Sequence, residues 1–116
     1  MANFSVPDMD QELLAELQDI MGGDFATLVE SWQRDTAMRV EGIKKAIDQN
    51  DPAQLRQVAH SLKGSSSNLG ARCVVDVCIE LETLANLNEL KSAKSVLSKL
   101  SSAIACAEQE LVRLAS

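Results

Sequence analysis

Aromatic residues are scarce in this chain of 116 residues, with one Trp, two Phe and no Tyr, and there are only two Pro and a single His. Ala, Leu, Glu, Lys and Gln, the better helix formers, are plentiful instead, so the composition reads as all-α. An excess of basic residues is also missing. The net charge of −6 disfavours nucleic acid and anionic membrane surfaces, whose binding needs clustered Lys and Arg. No apolar run approaches the roughly 20 residues that span a bilayer, and the opening "MANFSVPDMDQ" lacks the basic flank and apolar stretch of a signal peptide. A cytoplasmic location is expected. The cysteines Cys73, Cys78 and Cys106 are odd in number and lack C-x-x-C spacing, so neither a disulfide framework nor a zinc site is signalled. They read as small buried hydrophobes, and no metal site is expected.

What is present is helical periodicity. The length fits one domain over 1–116, with 1–7 as a flexible arm before helices at approximately 8–21, 24–49, 52–69, 71–86 and 89–114. Leu13, Leu14, Leu17, Ile20 and Met21 recur at helical spacing until Gly22 and Gly23 stop them. The second stripe carries Phe25, Leu28, Val29, Trp32, Thr36, Val40, Ile43 and Ile47. Asp51 followed by Pro52 is a helix start, since Asp accepts from orphan amides and Pro wastes no donor in the first turn. The third stripe, Leu55, Val58, Ala59, Leu62 and Leu69, runs to a turn at Gly70, and Val74, Val77, Cys78, Leu81, Leu84 and Ala85 form the fourth. Ala93, Leu97, Leu100, Ile104, Ala107, Leu111 and Leu114 alternate steps of four and three, as a bundle seam does. Short connections favour antiparallel neighbours, which predicts an up-down antiparallel four-helix bundle with an additional short N-terminal helix packed across it.

The lone histidine lies in "VAHSLKGSSSNLGA", residues 58–71. On a helix His60 points away from Leu55, Leu62 and Leu69 and shares its side with Arg56, Gln57, Lys63 and Ser67. That disfavours a core histidine. Mere surface decoration does not account for Lys63 at i+3 and Gly64 at i+4, the positions beside it one turn along. A Gly inside a helix costs about 1 kcal/mol relative to Ala and usually has a packing or functional reason. Here it is read as removing a side chain that would crowd the imidazole. An accessible imidazole with a neighbouring cation is what attack on a phosphoryl group needs. The run Ser65, Ser66 and Ser67 reads more simply as small residues where helices pack, with Ser67 on the exposed face.

The whole string "AHSLKGSSSNLGA" resembles the histidine-containing phosphotransfer (HPt) family, whose motif is A-H-x-L-K-G-S-S-x-x-L-G. Ala59, His60, Leu62, Lys63, Gly64, Ser65, Ser66, Leu69 and Gly70 all match, and the five-helix pattern extends the likeness along nearly the whole chain. The resemblance implies that His60 takes a phosphoryl group on Nε2 from the aspartyl phosphate of a receiver domain and passes it to another receiver. It also implies that Lys63 neutralises phosphoryl oxygens and that Gly64 leaves clearance for the receiver. A Gln or Glu on the following helix would hydrogen-bond Nδ1, and counting along the family pattern puts Glu82 there. A reversal near Gly70 brings residues 80 to 82 to the height of His60, so Glu80 and Glu82 both qualify. Glu82, at the edge of the buried stripe, is the favoured candidate for orienting His60. A solvated surface carboxylate is its plainer alternative. Arg56, Gln57 and Ser67 are candidate partner-binding residues.

Three functions compete at this stage. A phosphorelay carrier would need no cofactor of its own, the Mg²⁺ being expected on the receiver, and would serve the receiver domains of a hybrid sensor kinase and a response regulator. A histidine kinase would need an ATP-binding domain, and nothing here resembles a glycine-rich phosphate cradle. A non-catalytic helical adaptor explains the bundle but not the shared face of His60, Lys63 and Gly64. A free-standing monomeric phosphocarrier without autokinase activity is the expectation.

Overall fold

The computed structural model describes residues 8–116; the arm expected at 1–7 lies outside the described residues. Five helices follow in order: α1 (Gln11–Met21), α2 (Asp24–Asp48), α3 (Pro52–Ser67), α4 (Arg72–Asn86) and α5 (Leu90–Ala115). No strand occurs among the described residues. Helices α2 to α5 pack as a closed four-helix bundle, α2 on α3, α3 on α4, α4 on α5 and α5 back on α2, with α1 added at one end. No helix among the described residues is long and apolar enough to cross a membrane.

The core follows the predicted stripes. Leu55, Ala59 and Leu62 of α3 are fully buried against Val74, Cys78 and Leu81 of α4 and Leu100, Ala103, Ala107 and Leu111 of α5. Each large aliphatic side chain so buried contributes on the order of 1.5 to 3 kcal/mol. On α5 the apolar face is lined by Val96 and Ala103 more deeply than by Leu97 and Ile104, which are only partly buried. Ser66 is completely buried because its hydroxyl accepts from the Trp32 indole N–H across α2 and α3 at 3.2 Å. A buried indole donor without that partner would cost roughly 1 to 3 kcal/mol.

Helix ends are where the structure departs from the expected boundaries. α1 starts at Gln11 rather than 8, because the Asp10 carboxylate accepts from the Leu13 amide at 3.1 Å and so caps the helix there. Ile20, expected on the buried stripe of α1, is 78% exposed: the short helix buries Leu14 fully and only grazes the bundle with Leu17 and Met21. α3 closes at Ser67 rather than 69, since Gly70 adopts φ +67° and the Ala71 amide turns back to the Ser66 carbonyl. Leu69 stays buried in the turn.

That turn fixes the register of the α3–α4 hairpin. Gly70 needs its left-handed backbone, and a Cβ on it would lie 3.0 Å from Asp10 Cβ. The Asp10 amide donates to the Gly70 carbonyl at 2.8 Å, and Arg72 pairs with the Asp10 carboxylate at 3.4 Å. The start of α1 thus clamps the hinge from which α3 and α4 run side by side.

Candidate functional site

His60 sits midway along α3 on the outer face of the α3–α4 pair, with 70% of its side chain exposed. The neighbours on its own helix, Ala59 and Leu62, are fully buried, so the ring stands on a fixed platform while its own atoms face water. Glu82 approaches from α4, and its Oε2 lies 3.4 Å from His60 Nδ1. That separation is at the loose end of hydrogen bonding. The other carboxylate oxygen, Oε1, is 2.7 Å from Lys63 Nζ. One glutamate therefore joins the imidazole and the ammonium, and it is the most enclosed of the three, with 18% of its side chain exposed against 29% for Lys63.

Burial explains why Glu82 holds both neighbours. Its helix presents Cys78 and Leu81 to the core, and the following residue leaves that stripe at its edge, beside α3. Glu80, the other carboxylate the turn geometry allowed, faces the opposite way: its Oε1 takes Lys99 Nζ of α5 at 2.9 Å. The two candidates are separated by which neighbouring helix they reach. Lys63, read from sequence as a partner for phosphoryl oxygens, spends its charge on Glu82 in the structure at hand.

Gly64 is exposed, and a Cβ built on it would meet nothing within 4 Å. This corrects the expectation that a side chain there would crowd the imidazole. Within the chain the position has ample room, so the missing Cβ matters only to something approaching from outside. Arg56 and Gln57 line a shallow depression of about 590 Å³ together with Ala53, His60, Ser61 and Glu82. Ser67 is exposed but lies outside that depression. Ser65 is half-buried and returns its hydroxyl to the Leu62 carbonyl at 3.2 Å.

One residue at this site went unread in the sequence. Asn86, the last residue of α4, accepts from Arg56 Nη1 at 3.3 Å. A signal for it existed: Asn86 follows Glu82 by four residues as Arg56 precedes His60 by four, so one antiparallel register brings both pairs together.

Cys73 and Cys78 are buried, and burial pushes their thiols up to about 11 and about 12. For Cys78, which lies under the site, the negative charge of Glu82 adds to that effect and Lys63 opposes it. Cys106 is only half-buried, and burial raises its thiol as well. At neutral pH all three stay protonated and poorly nucleophilic. Among the described residues no group of three His, Cys, Asp or Glu side chains is placed to hold a metal ion.

The chain is similar to known proteins over most of its length. The Hpt domain family matches residues 27–115. The crystal structure of histidine-containing phosphotransfer protein B (HptB) from Pseudomonas aeruginosa PAO1 is 31% identical, covers 96% of each chain and superposes with a TM-score of 0.89. No curated protein sequence gives a significant match.

Proposed function

The chain belongs to the Hpt domain family, the histidine phosphotransfer modules of phosphorelays, and on that premise we propose that His60 is its phosphoryl-accepting residue. In this reading the Nε2 lone pair attacks the phosphorus of an aspartyl phosphate on a receiver domain. The N–P bond forms as the acyl O–P bond breaks, and the electron pair leaves with the aspartate carboxylate. The reverse exchange, onto the aspartate of another receiver, discharges the carrier.

The observation that carries the reading is the pairing of a largely exposed imidazole with a half-enclosed carboxylate at Nδ1. A carboxylate accepting from Nδ1–H favours the tautomer whose Nε2 is unprotonated, the orienting logic of catalytic triads. Nε2 then lies on the side of the ring turned away from α4. As phosphoryl oxygens arrive, Lys63 exchanges part of its contact with Glu82 for them. Gly64 admits the receiver's active-site wall. The chain brings no cofactor, the receiver supplies Mg²⁺, and the protein acts as a monomeric cytoplasmic carrier between the receiver of a hybrid sensor kinase and that of a response regulator, without autokinase activity.

Incubation with a phosphorylated receiver domain tests this. Acid-labile phosphohistidine is expected on the wild-type chain and not on His60→Gln, and ATP alone labels neither. Labelling that survives His60→Gln, or labelling by ATP alone, defeats the proposal.

A further inference from the structure

The cations on and beside the α3–α4 pair are not equivalent. Lys63 is held by Glu82, Arg72 by Asp10 and Lys99 by Glu80, so each brings its own counter-charge. Arg56 differs: it lines the same depression as His60, one helical turn earlier on α3, and its hydrogen bond goes to the neutral Asn86 side chain. Asn86 orients the guanidinium without cancelling it. The bond uses Nη1, which leaves Nη2 and Nε of a planar fork suited to carboxylate or phosphoryl oxygens. On a chain of net charge −6, an uncompensated and pre-aimed cation at the rim of the site is a local exception.

We propose that Arg56, held in place by Asn86, is the docking cation that engages the acidic pocket of the incoming receiver domain. The inference rests on the phosphorelay reading above and adds the residue that recruits the partner. A receiver that offers a phosphorylatable aspartate and holds Mg²⁺ presents clustered carboxylates. Arg56 meets them from the α3 side of the depression, while Lys63 stays with the Glu82 network until a phosphoryl group arrives. A guanidinium already ordered by Asn86 loses less freedom on docking than a free one. Charges at the rim of an interface act chiefly on association rate, and salt screens them.

The test compares phosphotransfer from a phosphorylated receiver over a range of ionic strength with labelling of His60 by phosphoramidate, a small donor that has no acidic pocket. In Arg56→Gln, transfer from the receiver is expected to fall roughly tenfold at low ionic strength, with the gap closing as salt rises. Phosphoramidate labelling should be unchanged. Asn86→Asp keeps the arginine but neutralises it, and should reproduce both results. Arg56→Lys should recover most of the salt dependence, and Arg34→Gln, the same charge change at an exposed position on α2, should leave the rate and its salt dependence alone. The inference is overturned if Arg56→Gln transfers like wild type at low salt, if Asn86→Asp does, if Arg34→Gln loses as much, or if phosphoramidate labelling slows equally. Absence of labelling in the wild-type chain from any receiver overturns the phosphorelay reading itself, and this inference with it.

Discussion

Two glutamates of this bundle each bridge two partners, at different depths. Glu110 of α5 is 7% exposed and takes Gln11 of α1 at 3.1 Å and the Arg113 guanidinium at 2.8 and 2.9 Å. Glu82 is less enclosed, and the imidazole it faces lies a loose 3.4 Å away in open water. The first carboxylate is saturated by short bonds and ties α1 to the bundle. The second is tied firmly on one side, to Lys63, and slackly on the other. The same side chain is a clasp in one place and an adjustable support in the other, and the more deeply enclosed carboxylate is the one held by short bonds on both sides.

Exchanging the two losses gives the sharpest test of that contrast. Glu82→Ala is expected to slow phosphotransfer by roughly 10- to 100-fold, the usual consequence of losing an orienting carboxylate. Its stability should stay within about 0.5 kcal/mol of wild type, since both freed partners face water. Glu110→Ala should do the reverse, costing about 1 kcal/mol as the Gln11 bond is lost, while transfer stays near wild type. Denaturant unfolding and receiver-to-chain transfer rates, measured on both variants, decide it. Equal slowing by the two would mean that α1 docking, rather than the carboxylate at His60, governs the site.

The acid limb of stability separates them further. The Arg113 guanidinium, and after it the Gln11 amide, hold the Glu110 carboxyl below its ordinary value against the opposing effect of burial. A carboxyl depressed in the folded state binds its proton more readily when unfolded. Its contribution is therefore present above about pH 4.5, the ordinary value, and is lost as the pH falls through the depressed one. Unfolding free energies of wild type and Glu110→Gln should accordingly converge on acidification below that point. A constant gap between them would show that the bonds at Glu110 do not depend on its charge.

The two regions were unequally legible in the sequence. His60, Lys63 and Gly64 sit within five residues of one helix, and the 3.6-residue period alone puts them on one outward face. Glu82 needed a second step, because the register of α3 against α4 depends on the Gly70 turn. Periodicity left Glu80 in play, and the deciding fact, Lys99 on α5 claiming Glu80, is a contact between distant segments. Glu110 was not read at all. A carboxylate beside an apolar stripe looks solvated until one knows that Gln11, 99 positions away in sequence, folds over it. Ile20 failed for the matching reason: a periodic apolar residue is buried only if another element covers it, and α1 touches the bundle too lightly to cover both its edges. Interior packing was thus written in local pattern, while the polar ties depended on tertiary partners.

The smallest expected effect falls on Gly64, where the interests of fold and site diverge. The fold has no use for glycine there, since the space around a Cβ is empty to 4 Å and the backbone is plain helix. Ala in its place removes backbone entropy from the unfolded chain and improves helix propensity, so Gly64→Ala should be more stable by about 0.5 to 1 kcal/mol. The added methyl would project into open space on the exposed surface of α3, and if the receiver docks over that surface it should slow transfer a few-fold through a displaced docking geometry. Phosphoramidate labelling of His60 should not change, because that donor needs no such clearance. A variant that is more stable and transfers as fast as wild type would remove Gly64 from the docking surface.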